Sequence, residues 1–556
     1  MLVRDTIAHR LADAVERAQR LDILPIAATP AVLIERPQKP EHGDFASSLP
    51  LRLARTSRMD PLQIAEKLVP LVQDDEAIER VWAAPPGFLN FVLRPEWLQR
   101  QVDIINEAGG SYADTDTGRG QRVQVEFVSV NPTGPLHVGH ARGAVLGSTL
   151  ASVLAAAGYD VTREYYVNDA GTQMDLFYTS LYARYAQALG RDEQVPTGGY
   201  QGQYLMEIGR ALAEEFGGRF ADMPRDGAIA EIGAIGLERM LAAIRRDMER
   251  LGVTYDVWFS ERDLYKNHQY ETAMKLLEDG GYTAKREGAR WFTSSALGND
   301  KDNVLVRSTG QPTYFATDVA YHYNKFVERK FDRVIDVWGA DHQGHVPRMK
   351  AVVGALGADP SRLDIIINQL VTLKRDGETV RASKRTGEMV TLQELVEEVG
   401  PDACRYFFLS RAAESQMEFD LELAKAQSAD NPVYYIQYAH ARIAGILRLA
   451  EERGVAWNDG DVSLLAHEAE LALIRKMVML PEVVDTVAQT LAPHHLPHYA
   501  TELATAFHWF YDHCRVVSSD PADEPLTKAR LKLCQASRTL LARTLSLMGM
   551  ASPEQM

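Results

Sequence analysis

The chain has 556 residues, and 60 Lys and Arg against 76 Asp and Glu give a formal net charge of −16. Because 46% of the residues are hydrophobic and 24% are charged, the composition is globular and excludes a disordered, collagen-like or coiled-coil chain. At roughly 150 residues per domain the length predicts three or four domains. The acidic balance disfavours nonspecific nucleic-acid binding but permits one locally basic surface.

Cysteine usage and hydropathy predict a cytoplasmic protein that does not associate with membranes. Cys404, Cys514 and Cys534 have no metal-ligand spacing and cannot form a disulfide framework, so we expect a reducing compartment and no structural zinc. The N-terminal segment is amphipathic and charged, and no run of about 18 apolar residues occurs along the chain.

Residues 1–110 are predicted to form a small α+β domain. A first helix from about Thr6 to Leu21 is followed by turn signals and a second helical pattern. The stretch PPGFLNFVL (85–93) is typical of a short strand entered through Pro and Gly. The Gly- and Asp-rich stretch 109–121 predicts the linker that ends this domain.

A strand–turn–helix–strand pattern opens the next domain, which is predicted over residues 120–400. The first strand begins at Val123, the turn NPTGP (131–135) ends it, and a helix (138–157) and a second strand (161–167) follow. This order of elements at this length gives a right-handed crossover and a parallel sheet.

A second set of elements resumes the same sheet after a long interval. Its strand, helix and strand are predicted at 333–338, 343–356 and 363–371. The fold class is therefore α/β, with a Rossmann-like parallel sheet of the nucleotide-binding kind. The interval between the two sets is an insertion, and its stretch from about 195–300 is predicted to be helical.

Residues 401–556 are predicted to form an all-helical C-terminal domain, because apolar residues recur there at helical spacing. Tyr434 and Tyr438 lie near Arg442 at the start of one helix; such an aromatic stripe is usually core, with one or two members left as candidates for RNA contact. From Lys528 onward the chain carries five basic residues and one acidic residue, so this tail is a candidate for phosphate contacts.

The most specific local pattern is the pair His137 and His140, three residues apart at the start of the predicted helix, where they share one face. Gly139 between them lets a flat group approach the backbone. Since a helix N-terminus attracts anions, two imidazoles there can donate hydrogen bonds to phosphate oxygens. The alternative is a pair of capping or metal-binding histidines, because H-x-G-H alone is a weak pattern.

A second pattern, GETVRASKRTGEMV (377–390), follows the last predicted strand. Arg381 and Lys384 lie on this loop with Ser383. A basic loop beside a phosphate-binding helix end suits the charge that develops on a leaving pyrophosphate. For a lone charge run, a solvated basic turn would be the simpler interpretation.

Together the two patterns resemble the signature motifs of class I aminoacyl-tRNA synthetases, and the flanking text is similar to the arginyl-tRNA synthetases over nearly the whole chain. The similar stretches are 125–147 around the histidine pair, YYVNDAGTQ (165–173), YFATDVAYH (314–322), WGADHQGHVPR (338–348) and DACRYFFLSR (402–411).

One departure concerns the second motif. Arg381 and Ala382 replace the Lys-Met that usually opens it, and a planar guanidinium is not equivalent to an ammonium point charge. Gly134 occupies the place where some members that lack the second lysine carry a compensating one, which is consistent with Lys384 as the main catalytic cation.

The resemblance implies a monomeric arginine–tRNA ligase that uses ATP with Mg²⁺, L-arginine and tRNA(Arg). It assigns catalysis to His137, His140, Lys384 and Arg381, and ATP binding to Gly139, Gly339, Asp341, His342 and Ser383. It assigns arginine binding to Glu126, Asn131, Tyr314 and Asp318. It assigns tRNA binding to Phe88 and Asn90 in a D-loop-binding N-terminal domain, and to Tyr438 and Arg442 in an anticodon-binding C-terminal domain.

The residue types support this assignment, although the local patterns allow simpler interpretations. A guanidinium presents a rigid fork of donors that carboxylates match, which favours Glu126 and Asp318 as a pocket for a cationic substrate. From alternation along its strand alone, Glu126 would be an outward-facing residue, and Asp318 alone would be a helix N-cap after Thr317. Phe88 suits stacking on an unpaired RNA base or packing in the core equally well.

Two other functions remain open at this point. A class I synthetase of another specificity, such as cysteinyl, is disfavoured because the chain lacks the Cys/His zinc cluster expected there. A non-catalytic RNA-binding paralogue is disfavoured because nothing in pure binding requires His137, His140 and Lys384.

Overall fold

The computed structural model describes residues 2–72, 76–380 and 389–556. The first region contains α1 (Val3–Arg20), β1 (Phe45–Ser47), α2 (Leu49–Ser57), α3 (Pro61–Val72), β2 (Ile78–Ala84), β3 (Phe88–Leu93) and α4 (Pro95–Ala108). The strands form an antiparallel sheet in the order β1-β3-β2. Helix α1 forms because Ile7, Leu11 and Ala14 recur at helical spacing and are buried on one face.

The central domain is built on a parallel sheet. It begins with β4 (Arg122–Phe127), α5 (Val138–Ala156), β5 (Asp160–Val167), α6 (Thr172–Ala188), α7 (Gln203–Phe216), α8 (Arg225–Arg250) and β6 (Val257–Ser260). It continues with α9 (Glu261–Lys266), α10 (Gln269–Asp279), β7 (Thr283–Arg286), β8 (Ala289–Phe292), β9 (Asn303–Val306), α11 (Tyr314–Tyr323), β10 (Arg333–Gly339), α12 (Val346–Ala355) and β11 (Leu363–Asn368).

The strand order β11-β10-β4-β5-β6, with every pairing parallel, confirms the predicted doubly wound α/β class. The chain reverses its direction of travel across the sheet between β4 and β10. In such sheets ligands bind in the crevice beyond the carboxyl ends of the two strands at this switch point. The turn after β4 leads into the first motif. Gly339 is the last residue of β10.

The prediction of a helical stretch at 195–300 is correct for α7, α8, α9 and α10 but wrong for the strands between and after them. Strand β6 completes the parallel sheet beside β5, and β7–β9 form a separate antiparallel sheet. These strands are four residues long and only partly buried, so they have neither the length nor the apolar alternation that predicts a strand.

The predicted strand 363–371 is divided in two. After β11 the Gln369 amide donates to the Ala413 carbonyl and the Gln369 carbonyl accepts from Arg142, so the backbone leaves the parallel sheet. The next elements are β12 (Val371–Arg375), β13 (Glu378–Thr379), α13 (Leu392–Val399), α14 (Pro401–Leu409), β14 (Met417–Asp420) and α15 (Leu421–Lys425), with strand order β13-β12-β14.

The C-terminal helices are α16 (Pro432–Glu452), α17 (Glu468–Met477), α18 (Leu480–Thr490), α19 (His495–His513) and α20 (Glu524–Leu547). The N-terminal region packs directly on them. The Arg36 guanidinium makes two hydrogen bonds to Glu482, at 2.9 and 3.0 Å, and Arg475 pairs with Asp44 at 2.9 Å. Helix α4 donates from Gln99 to two carbonyls before α17, so it belongs to this interface as much as to the N-terminal sheet.

A fully buried guanidinium ties the C-terminal domain to the catalytic sheet. Arg405 on α14 donates to the carbonyl of Met548 after α20, to the carbonyl of Leu251 after α8 at 2.9 Å, and to the Ser148 hydroxyl on α5 at 2.9 Å. The helix that carries the histidine pair is thereby joined to the end of the anticodon-side helices through one side chain.

Candidate active site

The histidine pair forms the N-terminal cap of α5. The Gly139 amide donates to His137 Nδ1 at 3.1 Å, the His137 amide donates to His140 Nδ1 at 3.3 Å, and the two ring centroids are 3.5 Å apart. A Cβ on residue 139 would lie 3.0–3.1 Å from the His137 ring, which favours glycine there. The alternative of capping histidines is thus correct as far as Nδ1 is concerned.

The same geometry leaves both Nε2 atoms as hydrogen-bond donors. Because each Nδ1 accepts from a backbone N–H, the proton of each neutral imidazole must be on Nε2. Burial lowers the pKa of His140 to about 3, with a further contribution from His137, and burial also lowers the pKa of His137. Both rings are therefore neutral at pH 7, and they can present two N–H donors to an anion at the helix N-terminus.

The chain that follows the second motif lies against the first motif. The Val138 amide donates to the Val390 carbonyl at 3.2 Å, and the Leu392 amide donates to the Leu136 carbonyl at 2.8 Å. His137 and Thr391 thereby form an isolated antiparallel β-bridge. Arg381, Ser383 and Lys384 themselves lie outside the described residues. Their described flank nevertheless ends at the histidine pair, as the two patterns taken together predict.

The residues predicted to hold the ribose lie on the rim beyond β10. Gly339, Asp341 and His342 are all exposed, and His342 Nε2 lies 3.5 Å from an Asp341 carboxylate oxygen. A Cβ on Gly339 would lie 2.7 Å from Asp341 Oδ1, so a side chain there would displace the carboxylate. The rim thus offers acceptors and a donor beside the switch point.

Asn131 follows a strained turn that lies directly after β4, next to the crevice. Val128 and Ser129 have φ values of 71° and 42°, a region that β-branched and bulky residues rarely adopt. The Tyr255 hydroxyl donates to the Phe127 carbonyl at 3.2 Å and the Tyr165 hydroxyl donates to the Val130 carbonyl at 3.0 Å, so the turn is held from both sides. The Asn131 amide then donates to Gln173.

Tyr314 and Asp318 lie one helical turn apart on α11. Thr313 is the N-cap of this helix, so the interpretation of Asp318 as a cap is wrong. Tyr314 is 51% exposed, whereas Asp318 is partly buried, and no hydrogen bond or ion pair to its carboxylate occurs in the part of the chain that the structure describes. Burial raises the pKa of Asp318 to about 6, against the attraction of His322, Arg348 and other nearby cations.

Glu126 is buried at the end of β4, which excludes the outward-facing alternative. Its carboxylate accepts from the Lys325 ammonium at 2.5 Å, and the same ammonium donates to Asp336 at 2.8 Å. Glu126 and Asp336 are direct neighbours on adjacent strands. The pocket therefore contains an internal cation that the sequence patterns did not single out.

Three family models match the chain. An arginyl-tRNA synthetase N-terminal domain matches residues 3–93, a class I (R) tRNA synthetase catalytic domain matches residues 102–406, and a DALR anticodon binding domain matches residues 436–556. A protein named arginine–tRNA ligase from Dehalococcoides mccartyi is 56% identical, across 100% of this chain and 99% of the relative. The chain belongs to the arginyl-tRNA synthetase family.

Further relatives agree with this membership. A Heliobacterium modesticaldum protein named arginine–tRNA ligase is 47% identical over 561 residues, across 100% of this chain and 99% of the relative. The solved Thermus thermophilus arginyl-tRNA synthetase matches the fold with a TM-score of 0.79, at 24% identity and 100% coverage of both chains. As a member of this family, the chain is a class I aminoacyl-tRNA ligase for which ATP is a substrate.

One buried acidic residue beside Tyr314 was missed by the sequence patterns. Glu261 at the start of α9 is 4% exposed and lines a cavity of about 280 Å³ together with Thr317 and Tyr314. Burial and the neighbouring Asp169 and Asp318 raise its pKa to about 7. The segment FSERDL gave no signal, because an acid in the first turn of a helix is ordinary.

The two residues predicted to bind the tRNA D-loop line one groove. Phe88 and Asn90 on β3 border a cavity of about 360 Å³ with the basic side chains of Arg36 and Lys39. Phe88 is partly exposed rather than core, whereas Asn90 is only 2% exposed. Arg36 is paired with Glu482 and Lys39 lies 3.7 Å from Glu41, so the feature of the groove that suits a single-stranded RNA loop is the aromatic face of Phe88.

In the C-terminal domain, Arg442 lies between two aromatic rings. Its guanidinium is 4.6 Å from the Tyr438 ring centroid and 4.7 Å from the Tyr511 centroid, and it donates to the Tyr438 hydroxyl at 2.9 Å. Tyr434 stacks on Tyr438 at 5.9 Å. These side chains are partly exposed, so this part of the stripe is not simply core.

The basic tail is not the phosphate-binding strip that its composition predicts. Each of its five cations pairs with a carboxylate of the protein: Lys528 with Asp459, Arg530 with Glu470, Lys532 with Asp103, Arg538 with Glu554 and Arg543 with Asp114. Helix α20 packs among acidic neighbours, and two of these pairs, Lys532 with Asp103 and Arg543 with Asp114, join it to α4 and to the segment after α4.

The described ranges contain neither a candidate metal site nor a candidate membrane-spanning helix. There, no three His, Cys, Asp or Glu side chains converge as a set of metal ligands, and no helix is long and apolar enough to cross a membrane. The three cysteines are buried free thiols.

Proposed function

We propose that this chain joins L-arginine and ATP to give arginyl-adenylate and pyrophosphate, and then transfers arginine to the terminal ribose of tRNA(Arg). ATP enters as its Mg²⁺ complex. The observation that carries the proposal is the pair of Nε2–H donors of His137 and His140, which lies beside the flank of the second motif and at the same switch point as Glu126 and Asp318.

In the first step the arginine carboxylate attacks the α-phosphorus and pyrophosphate leaves. His137 and His140 donate to phosphate oxygens from the N-terminus of α5, where Gly139 leaves room for the nucleotide. Lys384, Arg381 and Ser383 stabilise the charge that develops on pyrophosphate. Neither step requires a covalent enzyme intermediate, and the second step depends mainly on positioning.

The remaining site residues bind the two small substrates. Gly339, Asp341 and His342 contact the ribose of ATP from the exposed rim beyond β10. Asp318 and Glu126 bind the guanidinium, Asn131 binds from the turn after β4, and Tyr314 closes the pocket. The support for this assignment is that the Asp318 carboxylate is partly buried, with no hydrogen-bonded partner in the described chain, and so is ready to accept from a cationic fork.

Each of the three domains acts on a different part of the tRNA or on the chemistry at its end. We assign residues 1–110 to the D-loop, residues 120–400 to catalysis and residues 401–556, with Tyr438 and Arg442, to the anticodon. All assigned site residues belong to one chain, so we propose a monomer as the working unit. The buried free thiols suit a reducing cytoplasm.

Pyrophosphate exchange and aminoacylation with each amino acid test this function. We expect arginine alone to support both reactions, and exchange to be nearly absent until tRNA is added. The tRNA requirement follows if the free site is unproductive and the terminal adenosine biases it toward the active form. Charging of another amino acid would contradict the arginine assignment, and strong exchange without tRNA would contradict the coupling.

Arginine binding is expected to weaken in acid. The pKa of Asp318 is raised to about 6 in the free enzyme, mainly by burial. Below that pH the carboxyl becomes neutral while the guanidinium keeps its charge, so the Kd for arginine should rise by up to about tenfold per pH unit. Calorimetric titration from pH 5 to pH 8 measures this. Asp318→Asn is the control, since it should remove the inflection near pH 6; an unchanged inflection would assign the titration to another group.

Phe88→Ala should weaken tRNA binding by about 1–3 kcal/mol, the usual value of one base stacked on an aromatic ring. A point substitution is preferable to deletion of 1–110, because that deletion would remove α4 from its contacts with the C-terminal helices. The measurement is the Kd for tRNA with exchange at saturating tRNA. Leu33→Ala, an exposed position outside the groove, is the matched control. Equal affinity of the Phe88 variant and its control would remove Phe88 from the RNA interface.

A further inference from the structure

Three carboxylates form one row across the parallel sheet beneath the proposed arginine pocket. Asp336 on β10 lies directly opposite Glu126 on β4, and Glu126 lies directly opposite Glu164 on β5. All three are buried, with 1%, 8% and 0% exposure, respectively. Neighbouring residues in a parallel register point to the same face, so the three charges would repel strongly without internal cations.

Two internal cations divide the row between them. Arg329 donates to both carboxylate oxygens of Glu164, at 2.8 and 2.5 Å. Lys325 lies between the other two acids, 2.5 Å from Glu126 and 2.8 Å from Asp336, and is 0% exposed. Glu126 and Asp336 therefore share a single ammonium.

The backbone supports this placement of Lys325. Residues 324–328 form a π-helical turn directly after α11, a rare conformation that occurs frequently at functional sites. The Lys325 ammonium also lies 4.3 Å from the centroid of the Tyr321 ring. A fully buried lysine is costly unless it is paired, and Lys325 is paired with two carboxylates.

The ammonium lowers the pKa of both carboxyl groups that it contacts. The pKa of Glu126 is nevertheless raised overall, because burial outweighs the opposing effect of Lys325 and the charge of Asp336 adds to the increase. For Asp336, burial is outweighed by Lys325 and by a hydrogen bond with His322, and the pKa falls to about 2. Without the ammonium, two adjacent buried carboxylates would share a proton, as carboxylate dyads do.

We propose that Lys325 is a positioning residue for the arginine pocket, which favours the ionised form of Glu126 and fixes its carboxylate in place for the substrate guanidinium. The proposal rests on the role of Glu126 in arginine binding proposed above. A protonated Glu126 has lost the negative charge that attracts a guanidinium and one of its acceptor sites. Lys325 therefore acts on arginine affinity through Glu126, without touching the substrate.

The other groups that face this row do not replace the ammonium. Tyr166, Tyr255 and Tyr321 lie near Glu126, and burial raises their pKa values well above 10, so they remain neutral. Ser129 donates to Glu126 as a neutral hydroxyl. Burial raises the pKa of Asp318, against the smaller opposing effects of Arg348 and Lys325. The His322 ring contacts Asp336 at 3.3 Å and the Asp318 carbonyl at 2.8 Å, and it makes no hydrogen bond to Glu126 in the described chain.

The test compares Lys325→Met with the double variant Lys325→Met/Asp336→Asn. In tRNA-supported exchange, Lys325→Met should raise the arginine KM by about ten- to hundredfold at pH 7, tenfold for each unit by which the Glu126 pKa exceeds the assay pH. The increase should shrink as the pH is raised to 9, and the KM for ATP should stay within about twofold of wild type. The double variant should recover part of the arginine affinity, because the charge of Asp336 no longer adds to the effect of burial on the pKa of Glu126.

A merely structural role for Lys325 predicts a different outcome. The arginine KM would then rise equally at all pH values, and removal of Asp336 would bring no recovery; either result overturns the proposal. If Lys325→Met does not fold, the double variant alone decides, since the proposal requires its arginine KM to fall toward the wild-type value as the pH is raised from 7 to 9, and a pH-independent KM overturns it.

Glu126→Gln separates this proposal from the one on which it rests. An unchanged arginine KM in folded Glu126→Gln would show that Glu126 is outside the pocket, and the assignment of arginine-binding residues would fail. A raised KM in Glu126→Gln together with a pH-independent Lys325→Met would overturn only the role of Lys325. Thermal unfolding of each variant confirms that the native fold is retained.

Discussion

Lys384→Ala is expected to lower the rate of arginyl-adenylate formation by about 10²–10³, or roughly 3–4 kcal/mol, the usual cost of one contact to charge that develops in the transition state. The described residues after the second motif, Val390 and Thr391, lie against the histidine pair. A cation on this loop can therefore act on the same phosphates as His137 and His140. Because negative charge on pyrophosphate peaks in the transition state, kcat should fall while the KM values for arginine and ATP change little.

Two variants bracket this expectation. Arg381→Ala should cost less than Lys384→Ala, since its guanidinium replaces the lysine that usually opens the motif. Lys374→Ala removes the same side chain from β12, where it pairs with Glu418 at 3.4 Å, and should leave kcat within about twofold. Steady-state pyrophosphate exchange with tRNA present measures kcat and the KM values for arginine and ATP in all three variants. An increase confined to the KM for ATP in Lys384→Ala would make this lysine a ground-state binder.

The parallel sheet and the first motif were predictable because their signals are local. The turn NPTGP ends an apolar strand, and an Ala- and Leu-rich helix follows. The order of β4, α5 and β5 can therefore be predicted from one continuous stretch of sequence. The positions of His137 and His140 at a helix start follow from the same pattern. Their tautomers do not, because these depend on backbone amides that donate to the two Nδ1 atoms only in the folded turn.

The interior of the arginine pocket was only partly predictable. Glu126 and Asp318 were named through resemblance, but their surroundings come from distant segments. Lys325 reaches Glu126 from a π-helical turn, and Glu261 approaches Asp318 from a helix that follows a strand too short to recognise. Neither residue has a spacing relative to its partners in the chain that would reveal the contact.

Charge patterns were the least reliable guide. The tail after Lys528 has a strong local excess of positive charge, yet all five cations are paired across α20 with acids from other elements. A local charge run cannot reveal its partners when these lie far away in sequence. By contrast, the groove of Phe88 joins an aromatic side chain with Arg36 and Lys39, whose proximity also appears only after folding.

Asp318→Asn is expected to weaken the use of arginine by about 2–5 kcal/mol, the range for removing one partner of a buried charge pair. The substitution keeps the size of the side chain but removes the charge that would face the guanidinium. The carboxylate is free to accept a ligand because it has no hydrogen-bonded partner in the described chain, and Arg348 acts on it only through space. The measured quantities are the kcat/KM for arginine and the KM for ATP, and only the first should change strongly.

Asp364→Asn is the matched control for this prediction. It removes a partly buried aspartate from the start of β11, where its partner is Arg333 at 2.7 Å. This position is at the amino-terminal ends of the strands, away from the crevice at their carboxyl ends. If both variants lost arginine use equally, the effect of Asp318→Asn would be a loss of fold stability. If folded Asp318→Asn kept full arginine affinity, Glu126 and Glu261 would have to supply the charge for the guanidinium. Discrimination against lysine would then rest on those two acids, because unpaired buried acceptors are what makes the wrong substrate costly.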